Sequence, residues 1–237
     1  MTFDERMMRR ALELAERGRK YTLPNPMVGA VVTRDDQIVG EGWHERFGGL
    51  HAEVNALEGL SDLEDATLYV TLEPCSHFGK TPPCSELVVR SGVKRVFIAH
   101  LDPNPQVSGQ GLKMLQDAGI EVQIGLLEDE ARTLNRSFLK FIQTARPFVL
   151  LKAAQTLDAR IADAQGESKW ITGGSARQRV HEWRAESNAV LIGSGTAIAD
   201  DPSLTVRHTD GEQPFRLVLD RRLRIAESAK LVSDEFA

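Results

Sequence analysis

The spacing of apolar residues near the amino terminus predicts a helix followed by a β-hairpin. From Asp4 to Arg19 the apolar positions recur close to the 3.6-residue period of a helix, and Gly18 ends the run. These positions are Met7, Met8, Ala11, Leu12, Leu14 and Ala15. After a turn at residues 24–26, the runs MVGAVVT and QIVGEGWH flank the turn Asp35-Asp36, which is typical of paired strands.

Further along the chain, helical and strand patterns alternate. The predicted helices are HAEVNALEGL, CSELVVRSG, GLKMLQDAG and a last one over residues 128–144; the predicted strands between them are ATLYVTLEP, RVFIAHLDP and IEVQIG. Strands that are connected by helices favour a largely parallel sheet with helices on both faces. We therefore expect functional side chains at strand ends and helix starts.

A second unit begins near Pro147, because a helix stops before a proline. The run FVLLKAA predicts a buried strand, SARQRVHEWRAES a helix, and AVLIGSG and FRLVLD two more strands. We predict domains at residues 1–146 and 147–237. Three strong strands are few for a three-layer α/β domain, so we expect its carboxyl-terminal part to lie outside this chain.

Composition is that of a soluble globular protein, with 41% hydrophobic and 27% charged residues among 237. The net charge of −5 and pI near 5.7 argue against a broad basic face that binds nucleic acid. The amino terminus lacks the apolar core of a signal peptide, and no run approaches the roughly 18 apolar residues of a membrane span. We expect a cytoplasmic protein.

The two cysteines, Cys75 and Cys84, allow a disulfide, two buried thiols or a metal site. A reducing compartment disfavours the disulfide. His51 and Cys84 each start a predicted helix. The partial positive charge at a helix start lowers the pKa of a thiol there and so favours the thiolate of Cys84. One imidazole and two thiolates suit tetrahedral zinc and leave a position for water, as in catalytic sites. If His77 supplied a fourth ligand, the site would be closed and structural.

Glu53 follows His51 by two residues, so the two side chains do not share a helix face and Glu53 is not expected to bind the same metal. From the first helical turn it can still move a proton at a water molecule beside the metal. H-x-E followed by P-C-x-x-C is a signature of zinc deaminases. Here the first half matches, whereas eight residues separate Pro74-Cys75 from Cys84.

These motifs resemble those of the bifunctional riboflavin-biosynthesis family RibD. HAE with PCSHFGKTPPC is similar to its deaminase domain, and KAAQTLDARIA, GESKWITG, RAESNAVLIGSGTAIADDPSLTVR and RLVLD are similar to its attached pyrimidine reductase. The resemblance covers essentially the whole chain and implies an α/β fold class: a cytidine-deaminase-like three-layer domain followed by an incomplete dihydrofolate-reductase-like domain. Two departures are Ala159, where the family usually has glycine, and the short reductase half.

The resemblance implies a small-molecule enzyme with Zn²⁺ and NADPH as cofactors. Zinc held by His51, Cys75 and Cys84, with Glu53 moving protons, would remove the 2-amino group of 2,5-diamino-6-(ribosylamino)pyrimidin-4(3H)-one 5′-phosphate as ammonia. NADPH would then reduce the ribosyl unit to a ribityl chain. No nucleic acid and no membrane are expected as partners, and a homo-oligomer is expected because an incomplete sheet leaves an edge that invites pairing.

The resemblance also implies substrate and cofactor residues. For substrate these are Asn25, His44, Lys80, Ser168, Arg184, Leu204 and Arg207; for NADPH they are Ala154, Trp170, Thr196 and Asp200; and Lys152 and Asp201 would lie near the reacting ribose. Asn25 could instead be an ordinary turn residue, and Arg184 could lie on a solvated helix face. Trp170 and Leu204 could pack in the core, and His44 and Lys80 could be lone surface residues. The glycine turn IGSGT alone is weak evidence for phosphate binding because it lacks the full G-x-G-x-x-G fingerprint.

Two other functions share part of this pattern. A deaminase that acts on transfer RNA would keep zinc and Glu53, but the acidic charge balance and the reductase-like half count against it. A structural zinc module for protein binding needs a fourth protein ligand such as His77 or His44. It also predicts that Glu53→Gln leaves function intact.

Overall fold

A computed structural model of the chain describes residues 1–77, 82–104 and 107–236. The elements within these ranges are α1 (Phe3–Glu16), β1 (Gly29–Arg34), β2 (Gln37–Trp43), α2 (Ala52–Leu57), β3 (Thr67–Val70), α3 (Cys84–Ser91), β4 (Arg95–Ile98), α4 (Gln110–Asp117), β5 (Glu121–Ile124), α5 (Glu128–Leu134), α6 (Arg136–Thr144), α7 (Gly174–Ala185), β6 (Ala189–Gly193), α8 (Ser194–Asp200), β7 (Phe215–Leu219) and α9 (Lys230–Ser233). They divide into two compact units, Met1–Val149 and Leu150–Ala237. The division lies three residues beyond our predicted domain boundary.

The first unit contains a five-stranded sheet in the order β2-β1-β3-β4-β5. The predicted hairpin is confirmed, with β1 antiparallel to β2. Strand β1 is also antiparallel to β3, whereas β3, β4 and β5 are parallel. The prediction of a largely parallel sheet therefore holds only for β3, β4 and β5, which are connected by helices. The short turn between β1 and β2 reverses the chain direction and makes this pair antiparallel.

Both faces of this sheet are covered by helices. Successive strand residues point to opposite faces. One face buries Val32, Leu68 and Ile98 with residues of α2, α3 and α4, and the other buries Tyr69 and Phe97 with residues of α1 and α5. The predicted three-layer arrangement is thus confirmed.

The backbone of α2 lies directly against β2. A Cβ added to Gly42 would lie 2.4 Å from the backbone nitrogen of Ala56 and 2.5 Å from the carbonyl oxygen of Ala52. Only glycine permits this approach, since both neighbours are backbone atoms. The contact fixes the position of α2, which starts directly after His51 and carries Glu53.

The single helix predicted over residues 128–144 is wrong. The structure has two helices, α5 and α6, that meet at Asn135, whose φ of −99° and ψ of 19° leave the helical region. The Asn135 side chain instead forms two hydrogen bonds with the backbone of Met27. Periodicity could not reveal this long-range contact.

The second unit contains a two-stranded parallel sheet of β6 and β7, and the predicted helix is present as α7. The strand predicted at FVLLKAA is wrong: residues 147–154 form no strand, and Val149 and Leu151 are 77% and 90% exposed. A strand needs a neighbour with which to pair, and no strand of the described chain pairs with this segment.

Membrane crossing requires a long apolar helix, and none of the helices in the described ranges has that length and character.

Candidate metal centre

The three predicted metal ligands lie together. His51 directly precedes α2, Cys75 follows β3, and Cys84 is the first residue of α3. Their ligand atoms all lie within 4.8 Å of one another. His51 Nδ1 is 3.2 Å from Cys84 Sγ and 3.6 Å from Cys75 Sγ. Both cysteines are free, so the disulfide alternative is wrong.

The spacing and chemistry of these donors fit zinc. Zinc–sulfur bonds of about 2.3 Å and zinc–nitrogen bonds of about 2.0 Å at tetrahedral angles require donors roughly 3.5 to 3.8 Å apart. The measured nitrogen–sulfur distances of 3.2 and 3.6 Å are within a few tenths of this range. One imidazole and two thiolates are ligands that zinc prefers, so these residues would hold the ion.

The two thiols differ in acidity. Hydrogen bonds from the Cys84 thiol and from His51 hold the pKa of Cys75 well below that of a free thiol, and the backbone N–H of Cys84, 3.3 Å from Cys75 Sγ, acts in the same direction. The same hydrogen bond, burial and the negative charge of Glu53 raise the pKa of Cys84. A bound dication would stabilise both thiolates, since a coordinating thiol loses its proton.

Glu53 lies beside the ligands in a desolvated position. Its side chain is only 3% exposed, and burial raises its pKa to about 7. It interacts with the Cys84 thiol and with the charge of His51. A carboxyl group with this pKa can both accept and release a proton near neutral pH, which is what general acid–base catalysis requires.

Two other predicted residues of this region have different outcomes. His77 is exposed and does not belong to the metal-ligand group of the described residues, which holds His51, Cys75 and Cys84. The alternative of a closed four-ligand site through His77 therefore has no support. Lys80, the predicted substrate ligand, lies outside the described residues.

Asn25 and His44 form a hydrogen-bonded pair next to the metal ligands. His44 Nδ1 donates to the carbonyl oxygen of Leu50 at 2.9 Å, so its Nε2 is an acceptor, and Asn25 Nδ2 donates to it at 3.2 Å. Burial lowers the pKa of His44, which keeps the ring neutral. The His44 ring contacts the His51 ring edge-on, with centroids 5.6 Å apart. The pair therefore adjoins the metal centre.

Glu73 is a residue that sequence reasoning missed. Its buried carboxylate accepts hydrogen bonds from the backbone N–H groups of Asp102, Gly109 and Leu112 at 3.1, 3.1 and 3.2 Å. A Cβ on Gly111 would lie 2.1 Å from the carbonyl oxygen of Pro74, so α4 begins directly against this segment. Glu73 thus holds the chain that leads into Cys75.

Ser85 and Asp102 were also missed. Ser85 is fully buried next to Cys84 and donates two hydrogen bonds to the carbonyl oxygen of Cys75. Asp102 is 8% exposed, and burial raises its pKa, as does the negative charge of Glu73. No sequence motif in the chain distinguished these residues from ordinary serine and aspartate.

In the second unit, α7 joins part of the predicted substrate set. Arg184 Nη1 donates to the carbonyl oxygen of Thr205 at 2.6 Å, and His181 Nδ1 accepts from the backbone N–H of Arg207 at 3.0 Å. Burial lowers the pKa of Arg184, and the charge of Arg207 contributes to the shift. Leu204 is buried in the same segment. Two neighbouring guanidinium groups suit an anion.

The remaining predicted residues of the second unit, among them the four for NADPH, are more dispersed. Ser168 and Trp170 line an open groove of about 500 Å³, where Arg177 lies 4.4 Å from the Trp170 ring centroid. The other four positions are Thr196 and Asp200 on α8 and, in the segment 150–154, Lys152 and Ala154. Asp201 pairs with Lys230 at 3.3 Å, and within the described chain no hydrogen bond or ion pair joins it to Lys152.

Comparison with known proteins agrees with this division. Residues 1–100 match the cytidine and deoxycytidylate deaminase zinc-binding region, and residues 147–237 match the RibD C-terminal domain. The solved structure of RibD from Acinetobacter baumannii is 50% identical, has a TM-score of 0.91 and is matched over 98% of this chain and 67% of its own length. The chain belongs to the RibD family. The predicted fold class, a cytidine-deaminase-like domain followed by a dihydrofolate-reductase-like domain, is confirmed.

Two further RibD relatives are similar over nearly the whole chain. The riboflavin biosynthesis protein RibD of Aquifex aeolicus is 51% identical over 236 residues. A diaminohydroxyphosphoribosylaminopyrimidine deaminase/5-amino-6-(5-phosphoribosylamino)uracil reductase from Thermotoga maritima is 47% identical, with a TM-score of 0.93 over 98% of this chain and 67% of that one. The chain spans 60 to 66% of the length of the first curated relatives it matches.

Proposed function

We propose that the chain removes the exocyclic 2-amino group of 2,5-diamino-6-(ribosylamino)pyrimidin-4(3H)-one 5′-phosphate by hydrolysis, with Zn²⁺ as cofactor. The observation that carries this proposal is the joint presence of three zinc donors and one desolvated carboxyl group, Glu53, whose pKa is about 7. Similarity to the Thermotoga maritima deaminase/reductase supports the choice of substrate.

In the proposed reaction, Glu53 takes a first proton from the attacking water and gives it to a ring nitrogen. It then takes the second proton, from the new hydroxyl group on the ring carbon, and gives it to the departing amine. A carbon–oxygen bond forms at the ring carbon, the carbon–nitrogen bond breaks, and ammonia leaves. Zinc, when bound by His51, Cys75 and Cys84, supplies the Lewis acidity that activates water at neutral pH. The buried position of Glu53 favours this role, because desolvation raises the pKa of its carboxyl group toward neutrality.

Asn25 is proposed to read the pyrimidinone edge. Its Nδ2 donates to His44, and among the described residues its Oδ1 makes no hydrogen bond, which leaves an acceptor and one N–H for the ring. His44 would act mainly by fixing the orientation of this amide. Lys80 remains a proposed phosphate ligand from the resemblance alone.

The second unit is proposed to contribute to reduction of the ribosyl unit to a ribityl chain with NADPH. Ser168, Arg184, Leu204 and Arg207 would contact the substrate, and Arg207 would bind its phosphate, because a guanidinium group matches phosphate oxygens. For NADPH the proposed residues are Ala154, Trp170, Thr196 and Asp200, with Lys152 and Asp201 near the reacting ribose. The match to the RibD C-terminal domain supports this assignment.

The test is ammonia release by the zinc-loaded chain from the diaminopyrimidine ribosyl phosphate with NADPH omitted. We expect one ammonia per substrate, and we expect Glu53→Gln to lower turnover by roughly 10²-fold or more with zinc still bound. The matched control is Glu58→Gln, since Glu58 is exposed at the end of the same helix. Retained turnover in Glu53→Gln would overturn the mechanism and favour the structural zinc module.

The proposed partner is the small-molecule substrate. A transfer RNA deaminase would instead bind RNA, and the net charge of −5 disfavours that function. Two free cysteines that act as metal ligands suit a reducing compartment, so the proposed location is the cytoplasm. A homo-oligomer stays part of the proposal and is checked by mass in solution.

A further inference from the structure

Asn135 forms a two-bond clamp on the backbone of Met27. Its Oδ1 accepts from the Met27 N–H at 2.8 Å, and its Nδ2 donates to the Met27 carbonyl oxygen at 2.8 Å, across 108 residues of sequence. The side chain satisfies the backbone of one residue as a paired strand would. Asn135 is only 2% exposed, so water does not compete with these bonds.

The clamp is not explained by packing of the helices alone. Ala131, Asn135 and Leu139 are four residues apart and all buried, so an apolar side chain at 135 would have continued the stripe and the helix. Instead, α5 ends before Asn135 and α6 begins after it. Burying an asparagine costs free energy unless its amide is hydrogen-bonded, and here the backbone of Met27 supplies both partners.

The clamped residue lies next to the candidate substrate ligand. Met27 is two residues after Asn25, with Pro26 between them. The backbone N–H of Asn25 donates to the carbonyl oxygen of Thr22 at 2.8 Å, and its side chain donates to His44. The segment 25–27 is therefore held on one side by His44 and on the other by Asn135.

We infer that Asn135 is a positioning residue that sets the location of Asn25 at the deaminase site through the backbone of Met27. The inference rests on the proposed function of that site. Without the clamp, the chain between Asn25 and β1 keeps its covalent connection but loses its fixed distance from the α5–α6 junction. A misplacement of about 1 Å in a substrate-orienting residue can cost up to about 10²-fold in rate.

Asn135→Asp tests this inference with little change in shape. The carboxylate still accepts from the Met27 N–H but cannot donate to the Met27 carbonyl oxygen. Gln143→Glu is the matched control, because it introduces the same charge change at an exposed position of α6. We expect Asn135→Asp to raise KM about tenfold with a much smaller change in kcat and with full zinc content, and the control to leave all three unchanged.

A double-mutant cycle with Asn25→Ala identifies the route of the effect. If Asn135 acts through Asn25, Asn135→Asp adds little to the KM of Asn25→Ala. Equal effects in the two backgrounds, or a loss of zinc that parallels the loss of activity, would overturn the inference.

Hydrogen exchange provides a readout that needs no turnover. The Asn25 N–H is bonded to Thr22 and not to Asn135, so its protection reports the position of the segment indirectly. We expect exchange at Asn25 to accelerate about tenfold in Asn135→Asp but not in Gln143→Glu. If the wild-type chain releases no ammonia, the proposed function fails. Hydrogen exchange then still tests whether Asn135 fixes the position of Asn25, and unchanged protection at Asn25 in Asn135→Asp overturns that role.

Discussion

Ser85 donates two hydrogen bonds to the carbonyl oxygen of Cys75, one from its backbone nitrogen at 3.1 Å and one from its hydroxyl at 3.0 Å. Ser85 follows Cys84 directly, so one residue ties together the chain segments that carry both sulfur ligands. The backbone N–H of Cys84 also points at Cys75 Sγ, 3.3 Å away. The start of α3 thus sets the distance between the two sulfur atoms.

Ser85→Ala is expected to weaken zinc binding by about tenfold, because residues that orient metal ligands typically contribute 10- to 100-fold to affinity. The backbone bond to Cys75 remains, so folding should persist. Competition with a chelator measures the affinity. The control is Ser91→Ala, whose hydroxyl bonds to the carbonyl oxygen of Val88 at the far end of the same helix. Equal zinc affinity in both variants would contradict the role of Ser85.

Glu73→Gln is expected to lower the free energy of unfolding of the first unit by about 2 kcal/mol, the usual contribution of hydrogen bonds to a charged acceptor. The glutamine amide turns an NH₂ group toward at least one of the three backbone N–H donors that the carboxylate accepts. Urea unfolding of a Trp170→Phe/Trp183→Phe background, in which Trp43 reports only the first unit, measures the change. Glu64→Gln, at an exposed site, should be neutral; a neutral Glu73→Gln would show that the three bonds do not stabilise this unit.

Sequence patterns were informative where a residue acts through its neighbours in sequence. The metal ligands were predictable because strand ends and helix starts converge at one edge of a sheet, and the helix of Cys84 was marked by its period and by Gly92 at its end. The hairpin was marked by the Asp35-Asp36 turn, where both residues have positive φ. The helix and turn signals lie next to the features that they predict.

The predictions that were wrong, and the residue that was missed, depend on partners that are distant in sequence. Asn135 was assigned to a helix interior because its partner, Met27, lies 108 residues away. The strand predicted at FVLLKAA failed because strand formation depends on a paired neighbour as well as on apolar composition. Glu73 was missed because its function is to accept three backbone N–H groups, and backbone donors leave no mark in a sequence.

Ala159→Gly is expected to stabilise the second unit by about 0.5 to 1 kcal/mol. Ala159 has a φ of 61°, in the left-handed region, which costs a residue with a Cβ about 1 to 2 kcal/mol. Glycine removes this cost, but its greater conformational entropy in the unfolded chain offsets part of the gain. Urea unfolding of a Trp43→Phe background, in which Trp170 and Trp183 report only the second unit, measures the change. Ala162→Gly, where φ is not positive, should destabilise instead; the same sign at both positions would contradict the explanation.

Acidification is expected to destabilise the second unit through His181. Burial lowers the pKa of His181 to about 4, and the charges of Arg184, Arg207 and His208 add to the shift. The neutral ring accepts the Arg207 N–H through Nδ1. In the unfolded chain the pKa returns to about 6.5. Between these values the unfolded chain binds more protons than the folded one, so the free energy of unfolding falls as pH falls from about 6.5 to 4.

His181→Asn separates this titration from the hydrogen bond, because the asparagine Oδ1 can accept the Arg207 N–H in place of Nδ1 without taking up a proton. Urea unfolding of the Trp43→Phe background at pH 7.0 and 4.5 gives the comparison. We expect the Trp43→Phe chain to lose stability between pH 7.0 and 4.5, and we expect His181→Asn to make this loss clearly smaller. His208→Asn, which changes an exposed ring, should leave most of the loss in place. An equal loss with and without the His181 imidazole would assign the acid sensitivity of this unit to its carboxylates instead.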